Sequence, residues 1–418
     1  MMEGTAEGVI LEPLDMVYQP LGVFGLPAGM LLLPDTENGM EVALQLRAGR
    51  RPKVYSGDTH FYQLALVGAD PGEIIRALPG HGALHDFNEL VLNPTPELFT
   101  SLLGRCDGDF ALLVNWQGYL NGYCQLPDFK LASTNTVAAV LCSSHATRLL
   151  EVRDEPGAAE LLREAIAISA AESEVFAAGL RADLAQLLLD DRATKKEAMW
   201  NLQLALDALG ETDLSELAAE VHLNLGMAFH DEIDKLPTAG RDAARHYMAV
   251  TRLVTEQTSP YAFGTAHMNL ALTYLSMPMT DASDQLRYGI AIASLQKAVA
   301  AFDPDVFLEQ WARARLNLAN ALVYAPSVRQ ADNLVEAVEI YEELLQIRDR
   351  FSDPVGFARV CANQGNALGH LGMFSEAKAK LHDARAIFEE FEMTTEISAI
   401  REVLDHIERE RVGRGDSK

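Results

Sequence analysis

The residues with the most direct route to chemistry are Cys142-Ser143-Ser144-His145. A thiol close to an imidazole can be activated as a nucleophile or used as a metal ligand, because the thiolate is the reactive form. Cys106 and Cys124 lie upstream, but no second pair stands at zinc-like spacing. A buried cysteine is also common simply as a small apolar side chain. Cys142 and His145 are therefore the candidate nucleophile and base, while no catalytic residue is assigned. His81 and His85 stand four apart with Asp86 beside them. On a helix two such imidazoles could share a metal, yet Pro79, Gly80 and Gly82 argue for a polar loop. We expect neither a metal nor a cofactor. No glycine-rich phosphate loop, nucleophile elbow or kinase-like set is present.

A second chemistry is recognition. Asn224, Asn269, Asn317 and Asn363 recur at one position of similar segments, and Asn320 and Asn366 follow three residues later in the last two. Residues three or four apart share a helix face. An amide offers both donor and acceptor, which suits the alternating N–H and C=O groups of an extended peptide. Arg313, Arg359, Tyr324 and His370 belong to the same segments, whereas an earlier one offers Glu220, Asp231 and Glu232. An acidic segment or a C-terminal carboxylate would fit the Arg/Asn end. The alternative is that the amides bond to neighbouring loops and the charges are solvated surface.

These residues must be held by helices. "ANQGNALGHLGMFSEAKAKLHDARAIFEEF" (362–391) reads as a helical hairpin. Ala377, Leu381, Ala384 and Ile387 fall on one stripe, and Gly372 closes the first helix. Similar hairpins precede it, at 315–325 with 336–347, 267–275 with 290–302, and 222–230 with 243–250. A degenerate copy covers 180–189 with 197–209. Their anchors, Leu184, Leu225, Leu270, Leu318 and Gln364, recur at periods typical of a solenoid. Prolines 260, 304 and 354 fall between copies.

Over about residues 175–390 the chain resembles the tetratricopeptide repeat (TPR) family in its longer-period form. Gly365, Leu368, Ala377, Leu381 and Ala384 carry the resemblance. It implies about five helical hairpins whose first helices line a concave groove, with the asparagines holding a peptide backbone. The apolar face of "TTEISAIREVLDHIERER" (394–411) predicts a capping helix, and 412–418 a flexible tail.

The first 155 residues hold more than half of the prolines and glycines. That change of texture places a domain boundary near Pro156, giving a domain over 1–155 and a repeat domain over 156–411. Residues 41–48, 52–68 and 110–116 look like strands; 71–78, 95–106 and 136–152 look helical. The expected fold is thus mainly α, a solenoid preceded by a smaller mixed α/β domain.

A net charge of −26 over 418 residues makes this an acidic protein and argues against nucleic acid and anionic membranes as partners. No apolar run approaches membrane-spanning length, and the acidic first residues do not resemble a signal peptide. Four cysteines do not make a disulfide framework. We expect a cytoplasmic adaptor, scaffold or assembly factor that binds a protein or peptide segment. The alternatives are a ligand- or peptide-sensing regulator, or a thiol-dependent enzyme using Cys142 and His145.

Overall fold

The computed structural model describes residues 14–278, 285–326 and 329–413. Six shorter helices come first: α1 (Glu37–Arg47), α2 (His60–Leu66), α3 (Pro71–Arg76), α4 (Ala83–Leu92), α5 (Pro96–Leu103) and α6 (Gly108–Leu120). Then follow α7 (Asn135–Glu151), α8 (Glu155–Ala170), α9 (Glu174–Leu188), α10 (Lys195–Leu209), α11 (Ser215–His230), α12 (Ala239–Leu253) and α13 (Pro260–Ser276). The last six are α14 (Gln285–Ala301), α15 (Pro304–Tyr324), α16 (Gln330–Ile347), α17 (Pro354–Leu371), α18 (Phe374–Glu390) and α19 (Thr394–Gly413). The chain divides into two compact units, Met1–Leu225 and Gly226–Lys418, whose junction falls inside α11.

No strand occurs among the described residues, so the expected α/β domain is corrected to an all-helical one. In the segment 41–48, Val42, Leu44 and Leu46 alternate as a strand would, but burial follows a helix. Val42, Ala43 and Leu46 are buried while Leu44 is 49% exposed, and the Thr36 hydroxyl caps the helix by accepting from the Gly39 N–H at 2.9 Å. In 110–116 the buried Phe110, Leu113 and Val114 lie at i, i+3 and i+4, again helical. Of 52–68 only the end is regular, as α2, which buries Phe61, Tyr62 and Ala65. The helices expected at 71–78, 95–106 and 136–152 form as α3, α5 and α7.

From α7 onward, consecutive helices pack in pairs as in a helical repeat. In the first unit α7 packs on α8, α8 on α9 and α9 on α10; in the second each helix from α12 to α19 packs on the next. One motif recurs in the second helix of each pair: small, large, then small or medium, at spacings of four and three. It reads Ala158-Leu162-Ala165, Ala198-Leu202-Ala205, Ala243-Tyr247-Val250, Ala291-Leu295-Ala298, Ala337-Tyr341-Leu344 and Ala377-Leu381-Ala384, all buried. In two of the pairs the large side chain packs directly on a glycine of the preceding helix. A Cβ added at Gly226 would sit 2.5 Å from Cε1 of Tyr247, and one at Gly365 would sit 2.7 Å from Cγ of Leu381. Such close approach is what dense packing of two apolar helix faces requires.

Prolines 260, 304 and 354 open α13, α15 and α17, where a missing N–H costs nothing. Asp303 and Asp353 cap the last two of these. Pro156 likewise opens α8. The segment just after α1 is tied to the loop after α10: the Arg51 N–H donates to Asp213 Oδ2 at 2.7 Å, and the Asp213 N–H to the Gly49 carbonyl at 2.8 Å. At the other end α19 packs on α17 and α18, burying Ile400 and Ile407, in the place expected of a capping helix. It runs through Gly413, and the rest of the expected tail lies outside the described residues.

Candidate functional site

Two helices of the second unit carry the same polar register. Arg313, Asn317, Asn320 and Tyr324 on α15 are spaced four, three and four; Arg359, Asn363, Asn366 and His370 on α17 repeat that spacing. Each set occupies one helix face. Within this unit α15 also approaches α13 and α17 directly, and α17 approaches α19, so these first helices lie side by side. The two registers therefore form one continuous strip.

The amides are joined to one another. Asn320 Oδ1 accepts from the Tyr341 hydroxyl at 2.7 Å and from Asn363 Nδ2 at 2.9 Å, linking α15, α16 and α17. One level along, Asn366 Nδ2 donates to the Tyr324 hydroxyl at 3.0 Å. The ladder thus uses one end of each amide. Asn320 Nδ2, Asn363 Oδ1 and Asn366 Oδ1 have no partner among the described residues, nor has the half-buried side chain of Asn317. Arg313 and His370 are exposed and without an ion partner there. Exposed Arg359 lies 3.5 Å from Glu396 of α19.

Asn269 belongs to the same scheme, since Tyr247 hydrogen-bonds to its side chain. Tyr247 and Tyr341 occupy the large position of the repeating triplet, where other pairs have leucine. Sequence reasoning passes over these phenols, although a signal exists. A hydroxyl replacing an apolar tip at a fully buried position has to meet a polar partner. Asn224 lies in the first unit, 7% exposed, with its Nδ2 unpartnered.

The first unit offers different chemistry at the equivalent helix faces. Asp183 of α9 and Glu220 of α11 form no ion pair among the described residues, and they are close enough to repel. Desolvation by the surrounding helices, and then Glu220, push Asp183 up to about 6. Desolvation raises Glu220 as well. Asp183 lies on the wall of an apolar cleft of about 240 Å³ that Phe24, Leu26, Met30, Trp116 and Leu180 also line. The first unit thus carries carboxylates at these faces, where the second carries amides and arginines.

Cys142 and His145 are not brought together as a nucleophile and base. Cys142 is fully buried, and its Sγ donates to the Leu161 carbonyl at 3.3 Å. Burial, then Glu164, push its thiol up to about 12, so the nucleophilic thiolate is suppressed. His145 donates from Nε2 to the Pro127 carbonyl at 2.8 Å and packs edge-on against Phe129. Both side chains act as packing and tethering groups.

No helix among the described residues is long and apolar enough to cross a membrane. No protein-family signature matches the chain, and no curated protein is significantly similar to it.

Proposed function

We propose that this protein is a TPR-like helical scaffold of the cytoplasm, whose second unit binds an extended protein segment along the strip formed by α15 and α17. The observation that carries the reading is the repeated Arg-Asn-Asn register, in which Asn320, Asn363 and Asn366 each have one end of the amide engaged internally and the other open. Internal bonds fix the amide orientation, so the outward donors and acceptors are already arranged for a peptide backbone. Arg313 and Arg359 add attraction for carboxylates, which favours an acidic segment or a free C-terminus. The protein would then act as an adaptor or assembly factor. The buried, protonated Cys142 gives no support to a thiol-dependent enzyme.

A library of acidic and C-terminal-carboxylate peptides, titrated against the full chain, tests this. Asn366 bonds only to the exposed phenol of Tyr324, so Asn366→Ala should leave the melt nearly unchanged. It should weaken peptide binding by about threefold to tenfold, the equivalent of one hydrogen bond. Arg313→Ala should reduce both affinity and its dependence on salt. Peptide binding insensitive to both substitutions would refute the assignment of this strip.

A further inference from the structure

α4 gathers a set of metal-ligating side chains that the proposed peptide strip does not use. His85 and Glu89 are one helical turn apart, with His85 Nε2 3.7 Å from Glu89 Oε2. Ligand atoms of His85, Asp86 and Glu89 all lie within 4.8 Å of one another. His81 precedes the helix and is brought back to it by Gly82, whose φ of 122° is open to glycine and rarely to other residues. The His81 and His85 ring centroids are consequently 6.0 Å apart. Two imidazoles bound to one tetrahedral ion at the usual metal–nitrogen distance have centroids roughly 5 Å apart, so a small rotation of exposed His81 completes the pair.

The rest of the arrangement suits an ion as well. Asp86 is ion-paired with Arg105, which orients the carboxylate, as a partner outside the ligand shell commonly does. His85 points Nε2 toward Glu89, the side on which an ion would sit. A ligand set of imidazole and carboxylate matches borderline ions such as zinc; hard magnesium and calcium select oxygen alone.

We propose that His81, His85 and Glu89, with Asp86 beside them, form a binding site for a divalent ion of the zinc type. The site lies on the first unit, outside the repeat, and its existence is independent of the peptide-binding reading.

The test is a titration of the full-length, metal-stripped chain with cobalt, read by its visible absorption, and with zinc, read by calorimetry. One ion per chain is expected, with zinc displacing cobalt and with magnesium and calcium failing to displace it. Glu89→Gln keeps the size of a partly exposed side chain, and should weaken zinc by about tenfold or more with an unchanged circular dichroism spectrum. His85→Ala should remove the stoichiometric site, and His81→Ala should change the cobalt spectrum as one nitrogen is lost. Zinc should raise the melting temperature of the parent and not of His85→Ala. Absence of one-to-one binding would overturn the proposal. So would affinity unchanged in Glu89→Gln, since the ion would then be held by other side chains. If His85→Ala fails to fold, the Glu89→Gln titration alone decides between these outcomes.

Discussion

The helices α1–α6 and the paired helices that follow are held together by different means. In the pairs, alternating small and large side chains interlock and the contacts run between neighbours in sequence. Before α7, single polar side chains reach across long stretches of chain. Leu31, Leu32 and Leu33 form a buried segment that is not helical, and its backbone needs partners. Asn88 supplies them: its Oδ1 accepts from the Leu32 N–H and its Nδ2 donates to the Leu32 carbonyl, both at 2.8 Å. Gln19 does the same for Leu33, at 2.8 and 3.1 Å. Asp109 accepts from the Ser133 and Thr134 N–H groups and from the Thr134 hydroxyl, at 2.6–2.8 Å. Two amide side chains thus stand in for the neighbouring strand that this segment lacks. A fold assembled this way depends on a few irreplaceable polar groups, whereas a repeat spreads its stability over many similar apolar contacts.

That contrast can be broken most severely at Asn88. Asn88→Ala would leave the Leu32 N–H and C=O buried without partners. At about 1–3 kcal/mol for each orphaned group, the loss should be roughly 2–6 kcal/mol. Hydrogen exchange should quicken throughout α1–α6 while α13–α18 keep their protection. Equal loosening of both regions would show that they do not differ in the way described.

The second effect concerns acid and belongs to the paired region. His267 of α13 is 6% exposed, its Nδ1 has no partner, and burial, then Lys297, push it down to about 4. Its ring meets Phe263 edge-on, with centroids 4.5 Å apart. An unfolded histidine titrates near 6.5. Between those values the unfolded chain takes up a proton that the folded chain refuses, so stability falls as pH drops through this window. The loss should reach about 3 kcal/mol below pH 4. Urea melts from pH 7 to 4 should show it, and His267→Gln should flatten that part of the curve. An unchanged slope would mean that the ring is not excluded from water.

The smallest effect is at the ladder. Tyr341→Phe removes the phenol that bonds Asn320 without opening a cavity, and should cost about 1 kcal/mol. If the second unit relies on apolar interlocking, it should remain fully folded, with a modestly lower melting temperature. Collapse of the unit would show that it too depends on a few polar groups.

The same contrast explains what the sequence discloses. The hairpins after residue 175 are legible because Ala377, Leu381 and Ala384 have counterparts at a fixed spacing in every copy. The pair α7 and α8 escapes a search for copies, although Ala158, Leu162 and Ala165 obey the same rule. Pro156 reads as a boundary by composition; in the structure it opens a helix that packs on α7. The first helices resemble strands because Val42, Leu44 and Leu46 alternate, and only the burial of Ala43 and the exposure of Leu44 decide between helix and strand. Of the ladder, the asparagines are visible as a recurrence, but their phenol partners come from other helices and follow no short-range pattern. Glu89 is silent in the sequence because it joins His85 only once α4 is known to be a helix.

The tie between Arg51 and Asp213 has a consequence for the making of the protein. A paired helix finds its packing surface in the segment synthesised just before it. Arg51 instead has to wait for a partner 162 residues further on. At the usual 5–20 residues per second of translation, the wait is about 8–32 s. During that time the loop around Gly49 lacks its final cover while α7 to α10 are emerging. The segment after α1 is therefore sealed only once α10 and the loop beyond it have emerged, and a pause in translation before Asp213 would prolong its exposure to chaperones and proteases.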